Sequence, residues 1–261
     1  MVYNIFREVI AVDKSQFINS LVKKPDILGF ERYLFISPHP DDSELDCGGT
    51  MRKLSNLGKE VYLAVVTDGR KGYSGLDDVT EEDVARIRQN EQLQAGKILG
   101  IKEVFFLDFE DLGDYSMEQV RDKIVQLIRT VKPDIVFTVD PYVKYEVHPD
   151  HIKAGMAALQ AVLFSKFSSI MPEFSPHDVK AAVLYFTPST NTYVCVEDTY
   201  DKKLEALSQH KSQFGQMWEM LKYYLSEKAK MYGKEIGCEK AEGFKVIPGL
   251  LLHAIPEVEY Y

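Results

Sequence analysis

Phe35-Ile36-Ser37-Pro38-His39-Pro40-Asp41-Asp42-Ser43-Glu44 is the stretch whose reading decides the fold. The run from Arg32 to Ser37 is mostly apolar and alternates little, which fits a strand buried on both faces, as in a parallel sheet. Pro38 and Pro40 end it. Leu45, Met51, Leu54 and Leu57 then recur at helical spacing up to Gly58, so Asp41 and Asp42 fall at or just before a helix N-terminus. Ligands of open α/β sheets bind outside the carboxyl ends of the strands, beside such turns. A histidine and two aspartates within one turn offer the nitrogen and oxygen donors that zinc accepts. The same residues also suit plain helix capping, in which an Asp accepts backbone N–H bonds and complements the dipole. Taken alone, this segment leaves both readings open.

A second segment separates them. Asp134 to Asp140 reads as another buried strand; after the loop Pro141 to Val147 come His148-Pro149-Asp150-His151 and the apolar helix Ala154 to Phe164. Two strands that each end in a His/Asp cluster beside a proline place both clusters on one edge of a sheet. In a sheet of order 3-2-1-4-5 those strands are neighbours and their loops flank the switch point, where two half-sites meet. The fold expected is α/β: a Rossmann-like three-layer α/β/α domain with a mostly parallel sheet and a metal site at the C-terminal edge of the strands.

The rest of the chain fits this frame. Lys14 to Val22 reads as a helix in an N-terminal extension over residues 1–30. Glu60 to Thr67 is a second strand, and the glycine-spaced loop from Gly69 to Asp78 forms a rim over the crevice. Thr80 with Asp83 caps a helix that Gly100 stops, Glu103 to Asp108 is a third strand, and Ser116 with Gln119 caps the helix to Val131. Ala181 to Thr187 and Tyr193 to Val196 read as two more strands extending the sheet, and residues 201–231 as helix. Without linkers or repeats, the 261 residues form one domain over 1–261.

A net charge of −9 leaves no basic face for nucleic acid or an anionic membrane. No apolar run is long enough to span a bilayer or act as a signal segment. Three cysteines, Cys47, Cys195 and Cys238, show no paired spacing, which points to reduced thiols and a cytoplasmic protein. Cys47, beside the first cluster, reads better as a small buried residue than as a thiolate ligand.

His39-Pro40-Asp41-Asp42 with Gly48-Gly49, and His148-Pro149-Asp150-His151, resemble the paired signatures of the PIG-L/LmbE-like zinc N-deacetylases, which remove acetyl groups from N-acetylglucosamine units. The resemblance extends to Thr67-Asp68-Gly69, Ile87-Arg88 with Glu91, His210-Lys211-Ser212-Gln213 and Ala241-Glu242-Gly243-Phe244. Tyr145-Glu146 and the ending Pro248 to His253 look most like the archaeal diacetylchitobiose deacetylases. The resemblance implies zinc held by His39, Asp42 and His151, which also supply the three ligands that a catalytic zinc needs. It makes Asp41 the general base. His148, on the opposite loop, is placed to donate to the oxyanion and to protonate the leaving amine. Asp150 is expected behind a ligand, fixing a histidine tautomer.

Arg88 reaches the substrate's hydroxyls in the family reading and pairs with Glu91 or Glu81 in the plain one. Asp111 is favoured as a sugar contact by resemblance alone, with Asp108, Glu110 and Asp114 as neighbours of the same chemistry. His253 either closes a site, its own or a neighbouring subunit's, or is a surface histidine. His210 is left outside the site. Ser43 departs from the pattern, since many members carry a glutamate directly after the Asp pair. The partners expected are a small acetylated amino sugar, N,N′-diacetylchitobiose or N-acetylglucosamine, and further copies of the chain, with a trimer-based hexamer as the form considered. The alternatives are a zinc amidase for another N-acyl-glucosaminyl conjugate, a non-enzymatic Rossmann-like binder and, more weakly, a metallophosphatase using Arg70, Lys71 and Arg88.

Overall fold

The computed structural model describes residues 13–72 and 78–261. Part of the N-terminal extension and the middle of the Gly69 to Asp78 rim loop lie outside the described residues. The chain runs through α1 (Lys14–Leu21), β1 (Arg32–Ser37), α2 (Asp42–Asn56), β2 (Glu60–Thr67), α3 (Glu81–Leu99), β3 (Glu103–Phe109), α4 (Met117–Val131), β4 (Ile135–Val139) and α5 (Pro149–Phe164). Then follow β5 (Ala181–Tyr185), β6 (Thr192–Cys195), α6 (Tyr200–Leu207), α7 (Lys211–Phe214), α8 (Trp218–Ile236) and β7 (Ala241–Pro248).

The strands lie in the order β3-β2-β1-β4-β5-β7-β6. The first five are parallel, which gives the expected 3-2-1-4-5 core. β1 and β4 are neighbours with Phe35 opposite Phe137, and the two rings stack at 4.2 Å between centroids. That register makes the two strands end together, so the two His/Asp loops leave the sheet side by side.

β1 has no polar face because it has two cores to serve. Leu34 and Ile36 point into a cluster with Ile124 and Ile128 of α4 and Ala157 and Ala161 of α5. Tyr33 and Phe35 point into the opposite one, with Met51 and Leu54 of α2 and Ala95 and Leu99 of α3. Each such side chain contributes about 1.5–3 kcal/mol by leaving water. Both predicted capping boxes form, Thr80 with Asp83 and Ser116 with Gln119, and Gly100 closes α3 in the left-handed region at φ 76°.

The structure corrects the C-terminal third. β7 was legible only as a motif, yet it enters the sheet between β5 and β6, antiparallel to both. Its glutamate explains the insertion: Glu242 is buried, receives the N–H groups of Gly49 and Thr50 at 2.9 and 2.8 Å, and pairs with the buried Lys203 at 2.7 Å. A Cβ on Gly49 would lie 2.8 Å from the Cβ of Val196, so only glycine lets α2 approach this closely. Residues 201–231 are not one helix but three, and the last extends to Ile236. The reading of three reduced thiols is also corrected, because Cys195 and Cys238 form a disulfide with their Cα atoms 6.0 Å apart. This bond ties the edge strand β6 to the second residue beyond α8, and it removes the cysteine argument for a cytoplasmic setting. Cys47 is free and buried. Among the described residues no helix is long and apolar enough to cross a membrane.

Candidate active site

The turn after β1 is held in an unusual backbone conformation. Asp41, the residue before α2, has φ 113°, which non-glycine residues rarely adopt. Its side chain does not cap the helix, so the plain capping reading fails at this position. The strain is held from several sides: Asp41 N donates to Gln92 Oε1 at 3.1 Å, Ser43 N to Ser37 Oγ at 3.2 Å, and Thr67 N to Pro38 O at 2.9 Å.

His39, Asp42 and His151 bring donor atoms within 4.8 Å of one another. Asp42 Oδ2 sits between the two histidines, 3.1 Å from His39 Nδ1 and 3.3 Å from His151 Nε2. Burial alone would raise the Asp42 carboxyl, but His151 and His39 outweigh it and hold it well below the usual range. Burial disfavours charge on His39, yet Asp111, Asp150 and Asp42 together raise it well above 6.5. Two imidazoles and a carboxylate crowded without another cation between them are a donor set that suits zinc.

Asp41 lies beside this group with a different environment. Its carboxyl is pushed up to about 7 by burial and by Asp42, against the pull of Arg88 and His39. Arg88 is buried on α3 and its ends are committed: Nη2 to Asp41 Oδ2 at 3.0 Å and Pro40 O at 2.8 Å, Nη1 to Gly69 O at 2.7 Å. Neither expected partner of Arg88 is used, since Glu91 receives Ser212 and Glu81 receives Lys71. Arg88 therefore holds the Asp41 carboxylate and the backbone at Gly69 while also lining the cavity.

A cavity of about 250 Å³ opens onto the cluster, lined by His39, Asp41, Arg88, Asp111, His148 and Gln213 among others. Asp111 is buried there, with Oδ2 accepting Lys71 N at 3.1 Å and Oδ1 lying 3.3 Å from His39 Nε2. His148 caps α5, its Nδ1 accepting Asp150 N at 3.3 Å, which leaves the proton of the neutral ring on Nε2. Burial and the neighbouring His39 and His151 lower its pKa. Asp150 does stand behind a histidine, His39, at 3.5 Å, and is itself held by Leu112 N at 2.9 Å and the Tyr115 hydroxyl.

His253 is not brought into this cavity. It is exposed and lines a larger one, about 650 Å³, with Lys245, Leu251 and Pro256. Several residues escaped the sequence reading. Glu146, quoted there without a role, holds His151 through Nδ1 at 3.3 Å. Gln92, one helical turn after Arg88 and so on the same face, bridges Asp41 N and the buried Glu44; that spacing was a usable signal. Glu44 takes no part in the cluster; burial raises its carboxyl to about 7. Gln213, quoted there within His210-Lys211-Ser212-Gln213 but given no role, donates to Gly72 O at the cavity wall.

Comparison with known proteins gives the relatives of this chain. The PIG-L family profile, described as GlcNAc-PI de-N-acetylase, matches residues 34–162. A diacetylchitobiose deacetylase of Thermococcus kodakarensis is 37% identical over 87% of this chain and 86% of its own length. The chain belongs to the PIG-L family. A probable N-acetyl-alpha-D-glucosaminyl L-malate deacetylase of Bacillus cereus is 34% identical over 71% of this chain and 85% of its own length. Among solved structures, the N,N′-diacetylchitobiose deacetylase of Pyrococcus horikoshii in complex with an inhibitor superposes with a TM-score of 0.84, at 33% identity over 92% of this chain and 95% of that one.

Proposed function

We propose that this chain is a zinc-dependent N-deacetylase that hydrolyses the acetamide of N-acetylglucosamine units, with N,N′-diacetylchitobiose as its substrate. The observation that carries the reading is the convergence of His39, Asp42 and His151 beside Asp41, a carboxylate that burial pushes to about 7. The likeness to the Thermococcus and Pyrococcus deacetylases supports the sugar.

His39, Asp42 and His151 would hold the metal. Held there, zinc would supply Lewis acidity that polarises the amide carbonyl and makes water a better nucleophile near neutral pH. Asp41 accepts a proton from the attacking water at the carboxylate that Arg88 keeps in place, and that proton passes on to the leaving nitrogen. His148 presents Nε2–H to the carbonyl oxygen as negative charge develops on it. Of the two roles expected for His148, hydrogen-bond donation fits the geometry better, because a ring kept neutral by burial is a poor acid. Asp111 offers a buried carboxylate to a sugar hydroxyl in the cavity.

Metal content of the wild type and of His151→Ala, measured with acetate release from N,N′-diacetylchitobiose, tests the reading. One zinc per chain and acetate release, both lost in the variant, support it. A wild type that takes up no zinc and releases no acetate overturns it. The Bacillus relative supports, as a second reading, an amidase for another N-acyl-glucosaminyl conjugate; a panel of acetylated sugars separates the two. The reading also includes a homo-oligomer, supported by the exposed Leu250 beside the His253 cavity, and a cytoplasmic setting. Mass in solution tests the first, and the state of Cys195 and Cys238 in cells the second.

A further inference from the structure

Ser212 of α7 meets α3 across 121 residues of chain, its N and Oγ donating to the two carboxylate oxygens of Glu91 at 2.9 and 2.6 Å. Glu91 stands three residues after Arg88 on α3, on the same face of the helix. The next residue of α7, Gln213, therefore reaches the wall of the catalytic cavity, beside Gly72, Arg88 and Asp111. Its Nε2 donates to Gly72 O. We propose that Gln213 is a substrate-binding residue whose Oε1 accepts a hydrogen bond from a ring hydroxyl of the sugar, adjacent to the hydroxyl that Asp111 takes. The inference rests on the proposed function only for the sugar that occupies the cavity.

The orientation of the amide follows from its neighbour. A backbone carbonyl such as Gly72 O can only accept, so Nε2 faces it and Oε1 is the atom left to accept in turn. No described residue donates to that oxygen. Gly72 is closed on from two sides: a Cβ there would lie 2.8 Å from Arg88 Nη1 and 3.3 Å from Gln213 Oε1. Holding this turn does not require Gln213, however. Gly72 O also receives Arg88 Nη1 at 3.3 Å, Gly72 N donates to Gly69 O at 3.1 Å, and α7 is anchored through Ser212. What Gln213 adds is a polar acceptor on the cavity wall.

Its position selects the partner. Arg88 Nη2 holds Asp41 and Nη1 reaches Gly72 O, so the guanidinium separates Gln213 from the base and from the amide beside that base. Gln213 thus meets the sugar ring rather than the acetamide. Asp111 Oδ2 accepts Lys71 N at 3.1 Å, and Lys71 directly precedes Gly72. Consecutive residues of one turn hold the two acceptors, which suits adjacent hydroxyls of one pyranose. An amide also accepts without adding a further carboxylate near Asp41 and Asp111, where like charge would hinder ionisation of the base. A site built to pair a hydroxyl rejects an analogue lacking it, because the acceptor is then left unpaired.

The test is a cycle between the residue and the hydroxyl. Zinc-loaded protein with and without Gln213→Leu is given N-acetylglucosamine and analogues that each lack one ring hydroxyl. Acetate release yields kcat/KM, and calorimetry in an Asp41→Asn background that blocks turnover yields Kd. On the parent sugar Gln213→Leu is expected to lose about tenfold in both. One analogue is expected to cost the wild type a similar factor and to cost Gln213→Leu nothing further, since the lost partners are the same pair. A variant that loses by one factor on every analogue has only a supporting role, and that result overturns the inference; so does a variant equal to the wild type on the parent sugar. If the leucine variant fails to fold, Gln213→Asn, one methylene shorter, is put through the same cycle with the same outcomes. Coupling in Kd without acetate release sinks the deacetylase reading alone, and acetate release without coupling sinks this inference alone. A chain that neither binds nor hydrolyses these sugars overturns both.

Discussion

Glu146 Oε2 lies 3.3 Å from His151 Nδ1, and this contact decides which nitrogen of His151 faces Asp42. The glutamate also receives His148 N at 2.7 Å, so one side chain orients the whole second half-site. Removing such an outer partner typically weakens metal binding about 10- to 100-fold. Glu146→Ala is expected to lose zinc to a chelator at correspondingly lower concentration while its far-UV spectrum is unchanged. Retention equal to the wild type would show that His151 needs no orienting partner.

Asp41→Asn is expected to keep its zinc and lose acetate release by about 100- to 10,000-fold, the usual range for a general base. Metal analysis and single-turnover kinetics on the same sample check both halves. Full activity would move the base elsewhere.

The acidic limb of kcat/KM against pH reports the base that must be deprotonated. Burial raises Asp41 toward about 7, whereas Arg88 lowers it. A bound zinc acts in the same direction as Arg88, so the limb of the loaded enzyme lies below 7. Arg88→Gln removes one of the two stabilising cations, and the limb is expected to move to higher pH. A limb that stays in place would mean that another group carries it.

His210 is fully buried, neither ring nitrogen has a partner among the described residues, and burial followed by the nearby Arg88 lowers its pKa to about 3. The unfolded chain takes up this proton near 6.5 and the folded one does not until about 3. Stability is therefore lost as pH falls through that window, by at most about 1.4 kcal/mol per pH unit from this residue. His210→Leu is expected to flatten the fall in Tm between pH 6.5 and pH 4 relative to the wild type. An unchanged slope would show that the histidine is protonated in the fold.

Glu242→Gln leaves Lys203 buried and unpaired beneath α2, and a loss of about 3–5 kcal/mol is expected from chemical denaturation. Replacing both residues, Lys203→Met with Glu242→Leu, is expected to cost less, because no charge is then left uncompensated. Equal losses would place the stabilisation in the Gly49 and Thr50 N–H bonds instead.

The sequence by itself determined the parallel core, the two capping boxes and the meeting of His39 and Asp42 with His151. These depend on short-range signals: runs of apolar residues, prolines that end strands, and a histidine and carboxylate within one turn. The tertiary structure alone decided which of many equivalent groups pair. Arg88 had Glu81 and Glu91 on its own helix and instead meets Asp41, because the turn after β1 packs against that face of α3. Glu146 rather than Asp150 holds His151, β7 slots between β5 and β6, and Cys195 meets Cys238 across 43 residues. His253, at the end of the Pro248 to His253 segment, lies in a separate cavity. Local pattern cannot rank carboxylates of the same chemistry or cysteines without characteristic spacing; only the non-local packing that brings them within reach does so.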